Sequence, residues 1–163
     1  MKKIFLILIS LSLLVGCTLG NNPTSQTEEL LSNYQMLKKN IPISYKDLTT
    51  DLNLKKITKN RYVDIIKKQY KNLSYEIKDE EIDGNKAVVT IQIEVMNYKK
   101  SINKYNKDEY ELDKYHELVL SDLEKTKEMI TYTLELSLTK DNNNIWIVDD
   151  LTAENKAKLL GIY

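Results

Sequence analysis

Few side chains in this chain can do chemistry near neutral pH, and their spacing limits what that chemistry is. There is one imidazole, His116, one thiol, Cys17, and one guanidinium, Arg61. His116 stands in Asp113-Lys114-Tyr115-His116-Glu117. A histidine acting as general base needs an orienting carboxylate and an apolar cleft. Asp113 and Glu117 are the nearest candidates, but such neighbours are ordinary on a charged helix. The expectation is therefore a histidine at the surface or boundary of its helix. One cysteine makes no intramolecular disulfide, and one Cys with one His excludes a Cys/His metal site.

The carboxylates cluster at Asp79-Glu80-Glu81-Asp83 and at Asp149-Asp150. Neither follows the alternating twelve-residue spacing of an EF-hand loop, so solvated turns are expected and no metal. Tyr98, Tyr105, Tyr110 and Tyr115 bracket a stretch that also holds Lys99, Lys100, Lys104 and Lys107. Interleaved aromatic and basic groups suit glycans or peptides; the competing expectation is that these tyrosines pack onto a sheet edge. Basic and acidic groups balance at 24 each, and the basic ones are nearly all lysine. That argues against a nucleic-acid partner, which draws on net positive charge and bidentate arginine. No residue set points to a cofactor.

The thiol has a context of its own. Lys2 and Lys3 precede an apolar run from Ile4 to Leu14, interrupted only by Ser10 and Ser12. The run is shorter than the ~18–20 residues that spanning a bilayer requires, and it reads as a signal peptide. Leu14-Val15-Gly16-Cys17 follows directly and resembles the lipobox of bacterial lipoproteins. The resemblance implies thioether lipidation of Cys17, cleavage before it, and acylation, palmitate being typical, at the new amino terminus. It places the mature chain on the extracytoplasmic face of a cell membrane, held by lipid. Loss of Lys2 and Lys3 would leave a net charge of −2. Thr18, not Asp, follows the cysteine, so the family's mark for inner-membrane retention is absent.

The expected organisation is a signal peptide over 1–16, a lipidated tether over 17–26 and one α+β domain over 27–163. Gly20 and Pro23 among polar residues suit a tether. Leu30, Tyr34 and Leu37 recur at helical spacing, which predicts a helix from Thr27 to Lys39 stopped by Pro42. Residues 43–58 show no clear period. Tyr62, Ile65, Ile66, Gln69 and Tyr70 predict a helix over Asn60–Asn72. The period then shortens to two: Leu73, Tyr75 and Ile77 begin a strand, and Asp83-Gly84 marks a hairpin turn. Val89, Ile91, Ile93 and Val95 line one face of a strand over Ala87–Tyr98. A helix over Lys107–Lys127 is followed by a strand over Met129–Thr139, with Ile130, Tyr132, Leu134, Leu136 and Leu138 inward. Residues 141–144 turn into a strand holding Trp146, which is expected to be buried. Ala153–Leu160 forms a last helix capped by Gly161.

Two segments carry a resemblance. From Tyr62 to Tyr98 a helix runs into Asn72-Leu73-Ser74-Tyr75-Glu76-Ile77 and then Gly84-Asn85-Lys86-Ala87-Val88-Val89. From Met129 to Leu151 a strand and polar turn lead to Ile145-Trp146-Ile147-Val148. Together they resemble an NTF2-like (cystatin-like) domain over roughly residues 27–160, as in small lipoproteins of low-GC bacteria. The resemblance implies a cone: a curved antiparallel sheet covered by helices, able to enclose a pocket. Enzymes of that fold line the pocket with Asp, His and Tyr, whereas the inward strand faces here carry only Tyr132. The expected function is non-catalytic, binding an envelope protein or dimerising, with Tyr98, Tyr115, His116 and Tyr132 as pocket or interface residues. The alternative is a small-molecule binder or enzyme drawing on Asp113, His116 or Glu117.

Overall fold

The computed structural model describes residues 20–163, so Leu14, Val15, Gly16, Cys17 and the expected signal peptide over 1–16 lie outside the described residues. The described chain is α+β, with five helices and one open, curved antiparallel sheet in the order β1-β2-β3-β4.

Helix α1 (Pro23–Gln35) begins four residues before its expected start. Asn22 caps it, accepting from Ser25 N at 2.7 Å, and Pro23 fills the first turn, where an N–H would have no partner. Glu80 also docks there, accepting from Thr24 N at 2.8 Å and Thr24 Oγ1 at 2.6 Å. A carboxylate at this place complements the positive end of the helix dipole. One member of the 79–83 carboxylate cluster thus has a structural task. Residues 23–26, expected to belong to a tether, lie instead in α1. At its other end α1 stops before Leu37, which takes a left-handed φ of 52° and turns the chain back. The apolar spacing through Leu37 marks burial there, but not helix.

Residues 36–55 contain only a short 3-10 turn, Tyr45–Asp47, closed by reciprocal bonds between Ser44 and Asp47. They still bury Ile41, Leu48 and Leu54. Helix α2 (Lys56–Lys71) buries Tyr62, Ile65, Ile66, Gln69 and Tyr70, the stripe expected of it.

Strands β1 (Ser74–Asp83) and β2 (Lys86–Met96) form a hairpin, with Gly84 at φ 58° supplying the turn. A bulge at Lys78 shifts the register between Ile77 and Asp79. Beyond it Glu80 stands opposite Val89, which is what brings Glu80 to α1. Between β2 and β3 (Met129–Lys140) lie α3 (Lys99–Ile102) and α4 (Leu112–Lys125). The β2–β3 ladder pairs Val89 with Leu136 and Ile91 with Leu134, a cross-strand seam that is buried along with Ile93, Val95 and Leu138. The alternate residues of β3, Thr131 to Thr139, face solvent.

Strand β4 (Trp146–Val148) pairs only with Leu138–Lys140. Helix α5 (Ala153–Leu160) covers part of the edge left open. Asn155 Nδ2 donates to Glu135 O and Lys158 Nζ to Thr133 O, each at 2.9 Å. Satisfying these carbonyls removes a template for strand addition.

The C-terminus of α5 locks onto the end of β2. Gly161 caps the helix at φ 70°, and its carbonyl accepts from Tyr98 N and Lys99 N. Gln69, fully buried, bonds both Met96 N (3.0 Å) and Met96 O (2.9 Å). A Cβ on Gly161 would lie 1.9 Å from Met96 O and 2.6 Å from Gln69 Nε2. Gly161→Ala is therefore expected to destabilise the fold by about 2 kcal/mol, from left-handed strain and the displacement of this knot. Urea denaturation checks it, and a midpoint unchanged from wild type would contradict it.

Candidate functional site

The chain's only histidine is not at the surface. His116 is 1% exposed, which corrects the expectation from its charged neighbours. On α4 it precedes Val119, Leu120 and Leu123 at spacings of three, four and seven, and all four are buried. That stripe was visible in the sequence; the charges on either side of the histidine obscured it.

Its partners come from elsewhere. His116 Nε2 lies 2.9 Å from Asp51 Oδ2, and Nδ1 lies 2.8 Å from the hydroxyl of Tyr62 on α2. A carboxylate only accepts, so Nε2 carries the proton in the neutral ring. Nδ1 is then the acceptor, and Tyr62 O–H donates to it. Asp51 also accepts a bond from Lys107, and the Tyr115 ring stands edge-on to the imidazole at 5.1 Å. The carboxylates expected to orient His116 turn away. Asp113 pairs with Lys55, and Glu117 shares Arg61 with Glu124, at 2.5 Å and 2.8 Å. Asp51, the residue that does orient it, sits in the segment whose sequence shows no period.

Carboxylate, imidazole and hydroxyl in a row is the order found in nucleophilic triads. Here the hydroxyl is a phenol 1% exposed, and burial raises its pKa further above the ordinary tyrosine value. It lines none of the grooves described below. The array fastens three separate pieces of chain, the segment holding Asp51, α2 and α4.

Burial lowers the pKa of His116, against the opposing pull of Asp51. Burial acts to raise that of Asp51, but bonds from Lys107 and His116 outweigh it and the pKa is lowered. The folded state therefore favours neutral imidazole beside ionised carboxylate. In the unfolded chain His116 titrates near its usual value of about 6.5. Between that value and the lower folded one, the unfolded state holds more protons. Stability is thus full above about pH 7.5 and declines as pH falls through about 6.5, by at most about 1.4 kcal/mol per unit. No other side chain has an unperturbed pKa in this range, so His116→Gln should flatten the slope. Urea titrations at several pH values, with NMR titration of the sole imidazole, provide the check. An imidazole pKa at or above 6.5 in the folded protein would refute the argument.

The other expected site residues do not converge. Tyr98 is buried, its hydroxyl 3.2 Å from Met96 Sδ, and burial pushes its pKa up to about 12. Tyr132 donates to Tyr163 O at 3.1 Å. Tyr115 leans on His116. The Tyr–Lys stretch is consumed by internal contacts: Lys100 with Glu128, Lys104 and Tyr105 with Asp122, Lys107 with Asp51. Tyr110 stays exposed, its ring edge-on to Tyr105.

Grooves open on the described surface at several places. One, about 700 Å3, runs along α1 past Ser25, Glu29 and Ser32 to Tyr75 and Ile145. Another crosses the solvent face of β1 and β2, and a third lies between Arg61 and Glu124. None is lined by Tyr98, Tyr115, His116 or Tyr132. Among the described residues no group of three or more potential metal ligands occurs, and no helix is long and apolar enough to cross a membrane. No family model, curated protein or solved structure matches the chain.

Proposed function

We propose that this chain is a membrane-anchored extracytoplasmic lipoprotein whose domain, an NTF2-like cone, binds or assembles with an envelope component without catalysing a reaction. The observation that carries the reading is Leu14-Val15-Gly16-Cys17 in register behind an apolar segment. The folded domain supports it by beginning only a few residues beyond that cysteine. Partners under this reading are the membrane, through lipid on Cys17, and an envelope protein or a second copy of the chain.

The non-catalytic part rests on how the helix-covered face of the sheet is packed. Val89, Ile91, Ile93, Leu134 and Leu136 lie against the helices, and the one imidazole is shut between α2 and α4. An enzyme or small-molecule binder working inside the cone is the competing reading, and it needs space where these side chains pack. Mass spectrometry of the chain purified from membranes tests the lipoprotein reading. The expected product starts at Cys17 and carries diacylglyceryl mass. A chain retaining residues 1–16, or starting elsewhere without lipid, would overturn it.

A further inference from the structure

The folded domain starts so close to Cys17 that the anchor dictates which part of it meets the bilayer. Three peptide links separate Cys17 from Gly20, at most about 11 Å between Cα atoms. Gly20 is already held, its carbonyl accepting from Asn22 N at 2.8 Å. Asn21 is fixed to the sheet: its Oδ1 accepts from Trp146 N at 2.9 Å and its Nδ2 donates to Asn144 O at 2.6 Å. Asn22 caps α1. A lipid on Cys17 therefore keeps the end of the sheet around Asn21 within reach of the headgroups.

That end has a distinct surface. Lys140 N donates to Asn85 O, which sets the β1–β2 turn beside the β3–β4 turn. Ile82, Ile145 and Ile147 are 54%, 45% and 51% exposed there; Ile82 pairs with Ala87 on the covered face and Ile147 with Thr139 on the open face, so the isoleucines flank this end of the sheet on both sides. From β1 to β4 this rim is about 14 Å wide, three strand spacings. Its charges are mixed, Lys86 and Lys140 against Asp83 and Asp141, with Glu81 one residue behind Ile82. Gly84, Asn85 and Asn142 to Asn144 make up the two turns, with Thr139 between them. Half-exposed isoleucines among polar groups of mixed charge suit the headgroup–acyl boundary, whereas anionic lipid recognition would call for a lysine cluster.

We propose that the rim formed by Ile82, Ile145 and Ile147 around Asn21 is a bilayer-contacting surface, which stands the sheet on the membrane. This rests on the lipidation of Cys17. The opposite end of the sheet, at Met96 and Met129, then points away, about 34 Å distant along β2. That outer end carries the α5–β2 knot and is the part offered to other envelope components.

The test uses the full lipidated chain in phosphatidylcholine vesicles containing phosphatidylglycerol. With Cys17 blocked by its thioether, a cysteine introduced as Ile82→Cys, Ile145→Cys or Met129→Cys is the only free thiol and takes a nitroxide. All three sites are exposed, so folding is retained. At positions 82 and 145, accessibility to a water-soluble relaxation agent should fall roughly fivefold or more on vesicle binding, as for groups entering the headgroup boundary. Position 129 should not change, and raised salt should alter nothing. Equal accessibility at all three sites, on protein that floats with the vesicles, overturns the rim and leaves the anchor standing. Protein that carries no lipid and does not float overturns both.

Discussion

Trp146→Ala is expected to cost about 3–5 kcal/mol of folding free energy, the range for a large aromatic removed from a core. Trp146 is 3% exposed although its strand has only three residues. It is the point where three separate parts meet. α1 packs on β4, Asn21 accepts from the Trp146 N–H, and Lys140 Nζ lies over the indole at 4.7 Å. Removing the ring leaves a void beside α1 that β4 cannot fill, since the strand is fastened only at Leu138–Lys140. Trp146→Phe keeps an aromatic body in place and should lose clearly less. The chain has one tryptophan, so unfolding must be followed by far-UV circular dichroism. A denaturation midpoint for Trp146→Ala close to that of wild type would mean the ring contributes nothing to the core.

Burial of Trp146 could be anticipated because a short apolar strand between a polar turn and paired aspartates has one inward side. The same logic recovered the faces of β2 and β3, where strict alternation leaves a single arrangement that buries the valines, isoleucines and leucines. Gly161 was legible as a helix cap because few other residues take a left-handed φ without strain. The failures have physical causes too. Periodicity reports burial, and Leu37 is drawn toward the core by a turn that follows α1, not by the helix itself. The Lys78 bulge leaves no trace in the alternation of a strand that is half acidic, so Glu80 could not be assigned to its helix. Asp51 lies in a segment whose path is set by side-chain anchors, Ile41, Leu48 and Leu54, with no repeat to read. Its meeting with His116 spans 65 residues and depends wholly on tertiary packing.

The remaining large effect lies at the anchor. Cys17→Ala is expected to abolish lipid incorporation while leaving the folded domain unchanged within about 0.5 kcal/mol, as for a substitution away from any packed feature. The lipidating reaction attaches its chain to sulfur, and alanine offers none. The domain's contacts begin at Gly20 and Asn21, so no described bond depends on residue 17. Magnitudes say where the variant goes. Each buried methylene of an acyl chain contributes about 0.8 kcal/mol, and several chains at one terminus hold firmly. Three half-exposed isoleucines bring about 1 kcal/mol apiece, before the cost of immobilising the domain. The rim can therefore orient a tethered domain but cannot retain an untethered one, and the Cys17→Ala chain should leave the lipid-anchored fraction. Labelled fatty acid and membrane fractionation of both forms decide it. Label on the Cys17→Ala chain, or none on wild type, would remove the lipid anchor, the extracytoplasmic membrane location and the orientation that depends on them.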